Sequence, residues 1–106
     1  MNESRKKEEI KFLKESLYEA IRSSLERVLG KVVASYVLAE ARASGFNPFD
    51  PINTINKLLA TIRSLFGEGS AALEDTIAEE FKARARSWVR EENLQDVLKR
   101  LRRHRS

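Results

Sequence analysis

The chain has 106 residues, enough for one domain, and its 42% hydrophobic and 34% charged composition is that of a folded protein with a heavily charged surface, not a disordered one. It has no cysteine, which excludes disulfides, thiolate zinc sites and cysteine nucleophiles and suits a reducing cytoplasm. The net charge of +4 is localised: residues 1–98 hold 15 Lys/Arg against 16 Asp/Glu, whereas the last eight, KRLRRHRS, hold five Lys/Arg and no acid.

Apolar spacing predicts a long amphipathic first helix over about Glu3 to Leu29. Ile10, Leu13, Leu17, Ile21, Leu25 and Val28 recur every three or four residues. The opening turns, ESRKKEE, are wholly polar and are expected to project or fray. Gly30 stands where a C-terminal cap belongs.

The following run, KVVASYVLAEARAS, is apolar on more than one face through Val32, Val33, Tyr36, Val37 and Leu38. Ala34, Ala39, Ala41 and Ala43 keep the remaining surface small. Four alanines and no strict alternation favour a helix over a strand, and the all-round pattern predicts burial on most sides, up to Gly45.

FNPFDP is the clearest punctuation. Asp50 is the expected N-cap and Pro51 the first helical residue, with Phe46 and Phe49 as core plugs that pin the loop. The third helix is expected over Pro51 to Phe66 on Ile52, Ile55, Leu59, Ile62 and Phe66, widened by Leu58 and Leu65.

LFGEGSAAL then carries two glycines within three residues. A phosphate loop of the Walker type requires a preceding strand and a following Lys-Ser/Thr pair. Here a helix precedes, Ala71 and Ala72 follow, and Glu68, Glu74 and Asp75 would repel a phosphate. The stretch therefore reads as a helix–helix corner, with Gly67 past the end of one helix and Ser70 as N-cap of the next.

A fourth helix is expected over Ala71 to Arg90 on Leu73, Ile77, Phe81, Ala85 and Trp88. The stripe then restarts out of phase at Leu94, Val97, Leu98 and Leu101, and Asn93 with Asp96 resembles a capping box. A break near residues 91–93 with a short fifth helix is one reading; a continuous helix with a rotated face is the other. The fold class expected is all-α: a compact bundle of four main helices plus a short basic C-terminal helix. The domain spans residues 1–98 and the basic tail 99–106.

Chemistry has little to work with. The one histidine, His104, lies in the tail, no inward Glu-x-x-His pair exists, and Glu8–Glu9, Glu79–Glu80 and Glu91–Glu92 are neighbours whose side chains diverge on a helix. No serine has a partnering base. No catalytic residue, cofactor or metal site is expected; Glu80 and Arg84, one turn apart, read as a surface ion pair. No apolar run approaches the roughly 18 residues needed to span a bilayer. The N-terminus lacks the apolar core of a signal peptide, and membrane binding is not expected.

Binding is the remaining class. The first expectation is a non-enzymatic interaction or regulatory domain with a protein partner or a second copy of itself, the stripe of the first helix being one candidate contact. Leu94, Val97, Leu98 and Leu101 are expected to dock on the body or on a second subunit, and Trp88 is a candidate interface residue with them, although core packing is the favoured reading for Trp88. The alternative is nucleic acid gripped through Lys99, Arg100, Arg102, Arg103 and Arg105. A helix-turn-helix use of the glycine corner is disfavoured, because it would present Ala71, Ala72, Glu74 and Asp75 to DNA. The pI of about 9.6 belongs to the tail, while the Glu, Lys and Arg surplus and the near absence of Gln give a hyperthermophile-like balance.

Three stretches together, VLGKVVASYVLAEA, FDPINTINKLL and LFGEGSAALEDTIAEEF, resemble a small archaeal all-helical domain of the Nitrosopumilus output domain type. The resemblance covers about Leu17 to Phe81 and is sharpest at Leu65, Phe66, Gly67, Gly69, Ala72, Leu73 and Ile77. It implies a helical fold found alone or attached to sensory and transcription-related modules, and it implies no catalytic residue. It does not extend to SGFNP or to the arginine-rich last segment.

Overall fold

The computed structural model describes residues 2–85, with side chains from Lys7 onward. Described residues form four α-helices and no strand: α1 (Asn2–Leu29), α2 (Lys31–Ala43), α3 (Pro51–Phe66) and α4 (Ser70–Arg84), with a 3-10 turn over Gly67–Gly69. The polar opening turns of α1 are helical from Asn2. The expected fifth helix, Trp88 and the basic tail lie outside the described residues.

Leu13, Leu17, Ile21 and Leu25 of α1 are buried as their spacing predicts, and Ser16, Ala20 and Ser24 beside them are small enough to be buried too. The stripe ends on Leu29, packed against the core, and not on Val28, which is exposed. Gly30 then breaks the helix in a single residue. Its φ of 85° lies where a side chain is strained, so glycine is required there. α2 folds back along α1, so that Arg42 faces the same cleft as Lys14 and Tyr18.

The loop into α3 is fixed by local polar bonds. The Phe49 N–H donates to Asn47 Oδ1 at 2.9 Å, the Asn47 N–H to Thr54 Oγ1 at 3.0 Å, and the Thr54 hydroxyl to the Asp50 carbonyl at 2.7 Å. Phe46 is thereby driven into the core, but Phe49, expected beside it, is 88% exposed. The two-residue Asn47 turn between them sets the aromatic rings on opposite sides. Asp50 precedes Pro51 as predicted; its carboxylate accepts from Asn53 at 3.0 Å and makes no capping bond to the helix N–H groups.

α3 spans Pro51–Phe66 as read from the sequence, with Ile52, Ile55, Leu58, Leu59 and Ile62 buried and Leu65 on the outside. Gly67 ends it with a φ of 57°, its N–H donating to the Arg63 carbonyl. Ser70 is not an N-cap. The 3-10 turn leads straight into the helix, so Ser70 already has helical dihedrals and is buried as the first residue of α4. Leu73, Ile77, Phe81 and Ala85 complete the core, and α4 packs most extensively on α1. It ends at Arg84, because Ala85 departs to φ −110°, ψ 30°.

α2 departs most from expectation. Only Ala34, Val37 and Ala41 are buried, while Val32 is 84%, Val33 42% and Tyr36 55% exposed. The centre of the molecule is built from α1, α3 and α4, with α2 contributing one narrow face. Val37 is the one valine on its inner face, and Val32 and Val33 lie outside it.

Candidate interaction surfaces

Two features stand out on the described surface. The first is the outer face of α2. At 100° per residue, Val32, Tyr36, Ala39 and Ala43 fall within about 60° of one another. They lie opposite the buried Ala34, Val37 and Ala41, and all four are exposed. Val33 and Glu40 flank the stripe on one side, Ser35 and Arg42 on the other. Val28, at the end of α1, adds a further exposed aliphatic side chain. The stripe itself carries no charge, and along the helix its residues run two large, Val32 and Tyr36, then two small, Ala39 and Ala43.

The second is a cleft of about 810 Å3 between the N-terminal half of α1 and the α2–α3 loop. Ile10, Tyr18, Pro48 and Phe49 supply its apolar lining, and Lys7, Lys11, Lys14 and Arg42 its cations. The three lysines recur at i, i+4 and i+7 and so share one side of α1. Lys14 lies 4.0 Å from Asp50. Glu15 and Glu19 also line the cleft; Glu19 is bonded to Arg22 at 2.6 Å, which with the charge of Glu26 raises the Arg22 guanidinium above its ordinary value.

The glycine corner is held from outside. Arg63 donates to both carboxylate oxygens of Glu74, Nε to Oε2 at 2.9 Å and Nη2 to Oε1 at 3.0 Å, clamping α3 to α4. That pair raises the Arg63 guanidinium above its ordinary value. A methyl group at Gly67 or at Gly69 would meet no atom within 4 Å, so the corner is an open bend. The predicted Glu80–Arg84 pair is present at 3.7 Å, but the nearer partner of Glu80 is Arg27 on α1, at 2.6 Å. Sequence spacing could not reveal that partner, 53 residues away.

Among the described residues no group of three or more His, Cys, Asp or Glu could hold a metal, and no helix is long and apolar enough to cross a membrane. The expected contact residues Trp88, Leu94, Leu98 and Leu101, and the cations Lys99 to Arg105, lie outside the described residues. The surface that sequence reasoning missed is the α2 stripe. Its signal was the excess of apolar residues over what one buried face uses. Comparison with known proteins returns no match to a family model, a curated protein or a solved structure.

Proposed function

We propose that this chain is a non-enzymatic interaction domain that works through the outer face of α2, with a second copy of itself as partner. The observation that carries the reading is the exposure of Val32, Val33 and Tyr36 on a helix whose opposite face is fully buried. Apolar side chains left contiguous at a surface mark contact sites.

The size order of the stripe favours a second copy. In an antiparallel pair of α2 helices, Tyr36 falls opposite a second copy's Ala39, and Val32 opposite its Ala43. Each large residue meets a small one, and the arrangement repeats itself under a two-fold axis. A helix of 13 residues is about 20 Å long, so the contact belongs to the small, reversible class of interfaces. The first-helix stripe, by contrast, is consumed internally by Leu13, Leu17, Ile21 and Leu25.

A regulatory role in a cytoplasmic setting fits this domain. A reversible dimer of small helical units is a means of coupling attached modules, in keeping with the likeness to an output domain. Light scattering across concentration tests the reading: the mass should rise from 12.2 kDa toward twice that value. A mass that stays at the monomer value to the highest concentration would contradict it.

A second reading rests on the charge partition. Residues 2–85 hold equal numbers of acids and bases, which leaves the cations of 99–105 as a separate basic arm. Binding of that arm to nucleic acid would fall steeply with salt and vanish on deletion of residues 99–106.

A further inference from the structure

We infer that the cleft on α1 binds a small monoanionic amphiphile, a medium-chain carboxylate by class, with Lys7 and Lys11 facing the anionic head and Tyr18, Pro48 and Phe49 lining the path of the apolar tail. This does not depend on the α2 contact, whose stripe contains none of these residues.

The cleft has the build of a small-molecule site. Such sites are concave, mostly apolar and about 300–1,000 Å3, with a few polar groups that fix orientation. This one measures about 810 Å3, and Ile10 adds to its apolar lining. The methylene stems of the lysines extend that lining while their ammonium groups stay in water. Phe49 is 88% exposed, and the turn that sets its ring outside the core is held by two hydrogen bonds, Phe49 N–H to Asn47 Oδ1 at 2.9 Å and Asn47 N–H to Thr54 Oγ1 at 3.0 Å.

Charge selects the head. Lys14 lies 4.0 Å from Asp50, and Glu19 is held by Arg22 at 2.6 Å, so both are already answered within the chain. Lys7, Lys11 and Arg42 have no carboxylate within 4.0 Å among the described residues. Against them the lining sets one further acid, Glu15. The positive surplus is therefore small: it draws a single anionic group, whereas a polyanion such as nucleic acid would also meet Glu15. Lys7 and Lys11 are one helical turn apart, so both reach the same carboxylate. From Lys7 to Tyr18 is about 16 Å along α1, room for a medium alkyl chain laid along the helix. The approach of Asp50 to Lys14 brings the neighbouring Phe49 to the middle of that span.

Calorimetric titration of the full chain with dodecanoate, kept below its micellar concentration, tests the inference. Saturable one-to-one binding is expected. Dodecyltrimethylammonium, with the same tail and a cationic head, should bind at least about tenfold more weakly. Lys7→Gln with Lys11→Gln should raise the dissociation constant for dodecanoate about tenfold, and Phe49→Ala should do the same, with far-UV circular dichroism unchanged in both. Tyr36→Asp, on the outer face of α2, should bind like the unaltered chain. Absence of uptake below the micellar concentration overturns the inference, as does uptake only from vesicles of anionic lipid. So does equal affinity for the cationic amphiphile, binding that ignores the lysine and Phe49 changes, or binding lost in Tyr36→Asp.

Discussion

Val32 stands 84% exposed on α2 while Ala34, two residues on, is 1% exposed in the core. The larger aliphatic side chain faces water and the smaller one faces the interior. A helix that served only to close its own core would gain from the reverse, since burying a Val contributes about 1.5–3 kcal/mol. The proposed contact through the outer face of α2 accounts for that inversion.

The two glycines of the corner should respond oppositely to a methyl group. Gly67→Ala forces a side chain into φ 57° and should cost about 1–2 kcal/mol. Gly69 has φ −69° with open space around it, so Gly69→Ala should be neutral or stabilise by up to about 1 kcal/mol. Urea titration of both variants measures the contrast.

Ser24 is fully buried in α1, and its Oγ has no hydrogen-bond partner among the described residues. Ser24→Ala removes an unsatisfied hydroxyl and substitutes the best helix former. It should raise stability by about 1 kcal/mol, a shift of roughly 4–8 °C in Tm for a domain of this size. Calorimetry checks it.

Phe46 and Phe49 flank one proline and look equivalent in sequence, but only Phe46 is buried. Phe46→Ala should cost about 3–5 kcal/mol, as truncation of a buried aromatic does. Phe49→Ala should cost less than about 1 kcal/mol. Equal losses would place both rings in the core.

The Arg63–Glu74 clamp is bidentate but exposed on the arginine side, so a double-mutant cycle should assign it about 0.2–1 kcal/mol. Its alkaline limb follows from the direction of the Arg63 shift. A cation whose folded pKa is raised contributes stability that is complete below its unfolded value and lost only as pH climbs through the folded one. The coupling should therefore be unchanged between neutral pH and about pH 10, given the ordinary arginine range.

Much of the fold is legible in the chain for identifiable reasons. α3 carries one clean stripe between Pro51 and Gly67, two residues whose backbone preferences mark its ends. Leu73, Ile77, Phe81 and Ala85 are buried as their spacing demands. α2 was read as buried on most sides because an apolar residue that awaits a partner looks the same in sequence as one that has found its core. Ser70 misled for a related reason: serine suits an N-cap, but the 3-10 turn before it had already begun the helix. The separation of Phe46 from Phe49 depends on the Asn47 turn, and the pairing of Glu80 with Arg27 on how α4 lies against α1. Neither is written in local spacing.

Sedimentation equilibrium of the unaltered chain beside Tyr36→Asp tests the central claim most directly. The account predicts reversible dimerisation of the unaltered chain and, for the variant, a dissociation constant raised at least about tenfold, the equivalent of about 1.4 kcal/mol, with unchanged helix content. An unaltered chain that stays monomeric throughout, or a variant that dimerises as well as its parent, would contradict it.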